Sequence, residues 1–153
     1  MTYDNQLACL VALETGLRIN DVLKIRTDEL KQRMKLTEAK TGKKRTVTIS
    51  KPLFELLKAN AGSYYVFEGR LNPFKHRTRQ AVWKDLKRAS DALRLKGVSP
   101  HSLRKVYAVE LAKRYSLTEI QKILLHENIE VTLLYALADK LDAAKPPKHL
   151  AKK

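Results

Sequence analysis

The sequence is poor in the residues that staple a chain, hold a metal or span a membrane. Cys9 is its one cysteine in 153 residues, which excludes an internal disulfide and a cysteine-based zinc site and suits a reducing compartment. The longest apolar stretch, Leu7 to Leu13, is far too short to cross a bilayer, and no basic region followed by a cleavage site opens the chain. His76, His101, His126 and His149 show no His-x-x-His spacing, no acidic pair is placed to hold magnesium, and no glycine loop is available to cradle a nucleotide phosphate. The expectation is a cytoplasmic protein that needs neither metal nor cofactor. Nucleotide hydrolysis is not supported.

Acidic residues are also scarce. Asp and Glu number 16 against 31 Lys and Arg, a formal net charge of +15. An excess of this size predicts affinity for a polyanion, because cations that neutralise phosphates release condensed counterions on binding. Nucleic acid leads the candidates and an anionic membrane surface follows. With 44% hydrophobic residues the chain can build a core, so disorder throughout is excluded and one domain is expected.

Helical spacing of Leu7, Leu10 and Val11 predicts a first helix over Asn5 to Glu14, stopped by Gly16. A short second helix is expected with Asn20 as its cap and Asp21 in its first turn. Alternation through Thr46-Val47-Thr48-Ile49 and a turn at Thr41-Gly42 predict a hairpin within Arg33 to Ile49. Pro52 opens a helix to Lys58, and Tyr64 to Phe67 reads as a short strand. A long helix is expected from Thr78 to Leu95, ended by Gly97. Further helices follow from Ser99-Pro100 to Tyr115, after the capping-box pair Ser116 and Glu119, and over Val131 to Leu137. The fold class is therefore α+β, mainly helical with a small antiparallel sheet. It is expected as a domain over residues 1–140 with a basic tail at 141–153.

Two basic clusters stand out, Lys31 to Lys51 with Glu38 as its sole acid, and Lys75 to Arg88. Either alone reads as a solvated face, and together they favour a surface for DNA. Arg18, Lys40, His101, Arg104, His126 and Tyr135 are the candidates for chemistry. Taken singly, each has an ordinary alternative: a helix-end charge, a turn lysine, a capping histidine, a surface arginine, an imidazole near terminal carbonyls, a core aromatic. His101 and Arg104 lie three residues apart at a helix start, so both side chains can project from one face.

Their order and local sequence carry more. Thr15-Gly16-Leu17-Arg18 with Asp21 following resembles the first arginine box of the tyrosine recombinases, the phage integrase family. Lys40-Thr41-Gly42-Lys43 is similar to that family's hairpin lysine, and His101-Ser102-Leu103-Arg104 to its His-x-Leu-Arg box. Leu124-Leu125-His126, with Thr132 and Tyr135, resembles the closing histidine and nucleophilic tyrosine. The resemblance spans about residues 5 to 138. The sequence departs from the pattern at Leu125, where glycine is common, and at Lys105, where histidine is frequent.

The resemblance implies a site-specific recombinase or integrase that cleaves and rejoins DNA through a 3′-phosphotyrosyl link at Tyr135. His101 would accept the tyrosine proton, while Arg18, Arg104 and His126 would hold the non-bridging oxygens. Lys40 would protonate the departing 5′ oxygen, and Asp21 would brace Arg18. Lys43, Lys44, Arg77, Arg79 and Lys105 are the expected DNA contacts. Arg104 is expected to be exposed, so that its truncation spares folding. The resemblance further implies a homo-oligomer, a tetramer on duplex DNA, with the tail mobile or docked on a neighbouring subunit. It also implies an upstream DNA-binding domain, so this sequence reads as a separated catalytic domain or a short member. The rival readings are type IB topoisomerase-like strand relaxation and a catalytically silent DNA-binding module.

Overall fold

In the computed structural model, which describes residues 1–38 and 42–124, the first helix is the hub. Helix α1 spans Tyr3–Thr15 and packs against α2, Ile19–Leu23, α3, Lys51–Asn60, and α4, Arg79–Ala92. Leu7, Ala8, Val11 and Ala12 are buried there, whereas Leu10 turns to solvent. The Thr2 side chain does not cap this helix. Asp85 of α4 does so from across the core, accepting the Thr2 amide at 2.9 Å and the Asn5 side-chain amide at 2.8 Å. One buried carboxylate thus satisfies an orphan donor and ties two helices together.

Strands β1, Arg33–Thr37, and β2, Lys44–Thr48, form the expected antiparallel hairpin, with Met34 opposite Val47 and Leu36 opposite Arg45. Period-two alternation turns Met34 and Val47 into the core, and the same parity carries Arg45 inward. Below the hairpin, Ser50 caps α3 by accepting the Leu53 amide, and Pro52 occupies the first turn as anticipated. Thr78 caps α4 through the Ala81 amide. The core common to these elements includes Leu17, Val22, Leu23, Ile25, Leu53, Leu57, Phe67, Val82 and Leu103.

Three expectations change. Residue Asn20 lies inside α2, whose N-cap is Arg18 in extended backbone. Tyr64 to Phe67 is not a strand: Tyr65 makes one isolated bridge to Arg26, because the segment has no neighbouring strand to extend against. Helix α4 ends at Ala92, with Leu93 70% exposed and Arg94 left-handed, so no apolar face continues to Gly97.

By its contacts the chain divides into two units, Met1–Tyr107 and Ala108–Lys153. Helix α5 spans Pro100–Ala112 and α6 spans Leu117–Leu124. At the start of α6 the Ser116 amide and hydroxyl both donate to Glu119, at 2.8 and 2.7 Å, as the capping-box spacing anticipates. No described helix is long and apolar enough to cross a membrane. The expected helix at 131–137 and the tail at 141–153 lie outside the described residues.

Candidate active site

The end of α1 creates the site. Gly16 adopts φ of +63°, and its amide closes on the Ala12 carbonyl at 2.9 Å. This left-handed turn buries Leu17 and delivers Arg18 to the start of α2. The last carbonyls of a helix lack intrahelical donors and carry partial negative charge. Here two arginines supply the donors. Arg104 Nη1 donates to the Gly16 carbonyl at 2.7 Å, and Arg45 Nη2 donates to the Thr15 carbonyl. The Arg45 guanidinium also lies 5.9 Å from the centre of the Tyr107 ring.

Glu38, just past β1, is fully buried and pairs with Arg18 through Oε2, while its Oε1 stands 3.6 Å from Arg104 Nη1. Its main chain closes the base of the hairpin: its amide donates to Lys43 at 3.0 Å, and its carbonyl accepts from Gly42 at 2.9 Å. Beside this group opens a cleft of about 460 Å³, lined by Arg18, His101 and Arg104 together with Arg79, Gln80 and Trp83 of α4.

The field in the cleft is cationic. Burial, and then Arg18, push the Arg104 guanidinium down to about 10, and Glu38 opposes that fall. Burial is also the chief cause of the lowered value of Arg45, which Tyr107 and Glu38 offset. The His101 imidazole is held below its ordinary value by partial desolvation, and then by Lys105, Arg104 and Arg18. A histidine so placed is neutral at pH 7 and able to accept a proton. A cleft edged by the guanidinium groups of Arg18, Arg79 and Arg104 is suited to a tetrahedral oxyanion.

Of the residues singled out from sequence, Arg18, His101 and Arg104 come together at this cleft, and Arg79 joins them. Arg104 is 2% exposed, not a surface side chain, because the α1 carbonyls and Glu38 require its donors inside. Asp21 is buried in the first turn of α2, and the Arg18 guanidinium donates to Glu38. Arg77 is paired with Asp4 and largely buried, which commits its charge to the fold. Lys43 and Lys44 are exposed beside the hairpin turn, and Lys105 is half-buried on α5. Lys40, His126 and Tyr135 lie outside the described residues. Sequence reasoning missed Glu38, Arg45 and Trp83. A signal for Glu38 existed, since it is the sole acid between Lys31 and Lys51.

Comparison with known proteins identifies the family and the fold. The family model described as the phage integrase family matches residues 1–141. The chain is 31% identical over 139 residues to tyrosine recombinase XerD of Lacticaseibacillus casei, covering 79% of this chain and 46% of that protein. It is 28% identical over 138 residues to the probable integrase/recombinase YoeC of Bacillus subtilis (strain 168), covering 86% of this chain and 76% of the relative. It thus spans about half the length of the XerD relative.

Among solved structures, the XerH site-specific recombinase bound to palindromic difH substrate, a post-cleavage complex, is similar with a TM-score of 0.72 and 22% identity, covering 94% of this chain and 46% of that one. The catalytic domain of bacteriophage HP1 integrase is similar with a TM-score of 0.60 and 24% identity, covering 95% and 84%. These likenesses establish the fold.

Proposed function

The chain belongs to the phage integrase family, and from that premise we propose that it is the catalytic portion of a tyrosine recombinase that cleaves and rejoins duplex DNA through Tyr135. The observation that carries this reading is the meeting of Arg18, His101 and Arg104, from distant parts of the chain, on one cleft. They lie far apart in sequence, and the fold brings all three to the wall of one cleft.

The Tyr135 phenol attacks phosphorus while the bond to the 5′ oxygen breaks, giving a 3′-phosphotyrosyl link and a free 5′-hydroxyl. One phosphoester replaces another, so a second 5′-hydroxyl can reverse the step without an energy source. A free phenol has a pKa of about 10, and His101, neutral at pH 7, takes its proton. Lys40 gives a proton to the departing 5′ oxygen. Arg18 and Arg104, with a hydrogen bond from His126, stabilise charge on the non-bridging oxygens as five-coordinate phosphorus forms. A donor aimed at such developing charge is worth about 3–4 kcal/mol.

Lys43, Lys44, Arg79 and Lys105 are proposed to hold the DNA backbone, and the working assembly is proposed to be a homotetramer on duplex DNA in the cytoplasm. Residues 1–140 form the catalytic domain in this reading, and 141–153 a basic tail. The test is a denaturing gel of the protein with nicked duplexes randomised around the nick. The expected result is an adduct that survives detergent and is absent in Tyr135→Phe. DNA binding without any adduct would overturn the reading in favour of a silent binding module.

A further inference from the structure

Two arginines that must act on one phosphate reach the cleft from the start of α2 and from α5, and a buried acid stands between them. The carboxylate of Glu38 faces Arg18 with one oxygen and Arg104 with the other. A carboxylate this deep is costly to bury and remains ionised only where cations and donors surround it. Three guanidinium groups converge here: Arg45 and Arg104 both lie in the field of Arg18, Arg104 also in that of Arg45, and Glu38 acts on Arg45 and Arg104 against that repulsion. Glu38 itself is fixed by the hairpin base through the Lys43 carbonyl and the Gly42 amide.

We propose that Glu38 is a positioning residue that holds Arg18 and Arg104 around a single oxyanion locus before DNA arrives. The inference rests on the recombinase reading, because the oxyanion it serves is the scissile phosphate. Without an anion between them, two guanidinium groups on separate elements repel, and the side-chain freedom of each must be lost during the reaction. With Glu38 in place that ordering is built into folding, which is where positioned groups gain most of their catalytic effect. Glu38 is a negative charge beside a site for a polyanion, so it acts against DNA affinity even as it favours cleavage. A residue with a purely structural role would not separate these effects.

The test uses the full chain carrying Glu38→Gln, which keeps size and removes charge. Adduct formation with nicked duplexes randomised around the nick should slow at least about tenfold. Duplex affinity at low salt should stay equal or rise by about two- to tenfold. Nitrogen-15 spectra of the guanidinium groups, recorded without DNA, should show separate Nη signals for Arg18 in the parent and a merged, freely rotating signal in the variant.

A wild-type cleavage rate in Glu38→Gln, or unchanged Arg18 signals, would overturn the proposal. Absence of any adduct in the parent would count against the recombinase reading alone, and the spectra would still decide whether Glu38 restrains the arginine. If Glu38→Gln does not fold, Glu38→Asp decides, because it keeps the charge but draws the carboxylate back by one methylene. Slowed cleavage and merged Arg18 signals in a folded protein support positioning, and parental behaviour in both overturns it.

Discussion

The Arg104 guanidinium donates to the Gly16 carbonyl at 2.7 Å across 88 positions of chain. An arginine of the proposed reaction centre thereby closes the C-terminal end of the hub helix, and in this reading catalysis and folding share one side chain. The same turn leads directly into Arg18, so any change in how α1 ends is felt at both arginines.

Arg104→Ala is therefore expected to impair stability as well as cleavage. It strips the donor from a buried carbonyl and leaves Glu38 with less compensation, a loss of about 2–3 kcal/mol. Urea unfolding monitored by circular dichroism checks this. A midpoint equal to the parent's would show that Arg104 is not structurally engaged.

Gly16→Ala is expected to be worse than its size suggests. At φ of +63° a side chain is strained, and a Cβ there would run into the Tyr107 ring. The combined cost is about 2–4 kcal/mol. Thermal melting reads the cost, and adduct formation reads the accompanying displacement of Arg18.

Asp85 is expected to contribute to the acid sensitivity of unit 1. The Thr2 amide, and then Asn5 and Arg88, hold its carboxyl well below the usual carboxylate range. A group with a depressed folded value contributes stability above its unfolded value of about 3.9, and loses it as pH falls through the folded value. The parent should therefore lose stability steeply below about pH 4. Asp85→Asn should be less stable at pH 7 but shallower in that acid window. Urea midpoints collected from pH 7 to pH 2 decide it, and parallel curves would refute it.

The pH dependence of cleavage should report His101. Its value is lowered by partial desolvation and by Lys105, Arg104 and Arg18. The proton-accepting form is thus already dominant at neutral pH, and single-turnover rates should rise with pH to a midpoint below about 6.5. Lys105→Ala should move that midpoint upward by removing a nearby positive charge. A midpoint above 7 in the parent would exclude His101 as the acceptor.

Arg79 and Arg77 are close in sequence but should differ in DNA binding. Arg79 lines the cleft, whereas Arg77 is tied to Asp4. Arg79→Ala should lower the slope of log affinity against log salt by about 0.9, the contribution of one neutralised phosphate. Arg77→Ala should leave the slope nearly unchanged. Fluorescence anisotropy across a salt series measures both, and equal effects would remove the distinction.

Local signals made much of this protein legible. The α1 stop at Gly16, the hairpin, the proline in the first turn of α3 and the capping pair of α6 each depend on residues within a few positions of one another, so spacing and turn chemistry are sufficient. The ordered boxes around Arg18 and His101–Arg104 are equally local, and they carried the family assignment that the family match bears out. The Tyr64–Phe67 segment failed because a strand needs a neighbour, and local propensity cannot supply one.

By itself the sequence determined the basic character, the mainly helical α+β class and the identity of the cleft residues Arg18, His101 and Arg104. Only the tertiary structure decided which charges are spent inside the fold. Glu38 in a basic stretch of sequence looks like a solvated counter-charge, and Arg45 and Arg104 look like surface cations, until distant segments meet. Burial depends on what the rest of the chain places around a residue. Here the exposed carbonyls at the end of α1 drew two arginines inward, and those arginines in turn made a buried carboxylate tolerable.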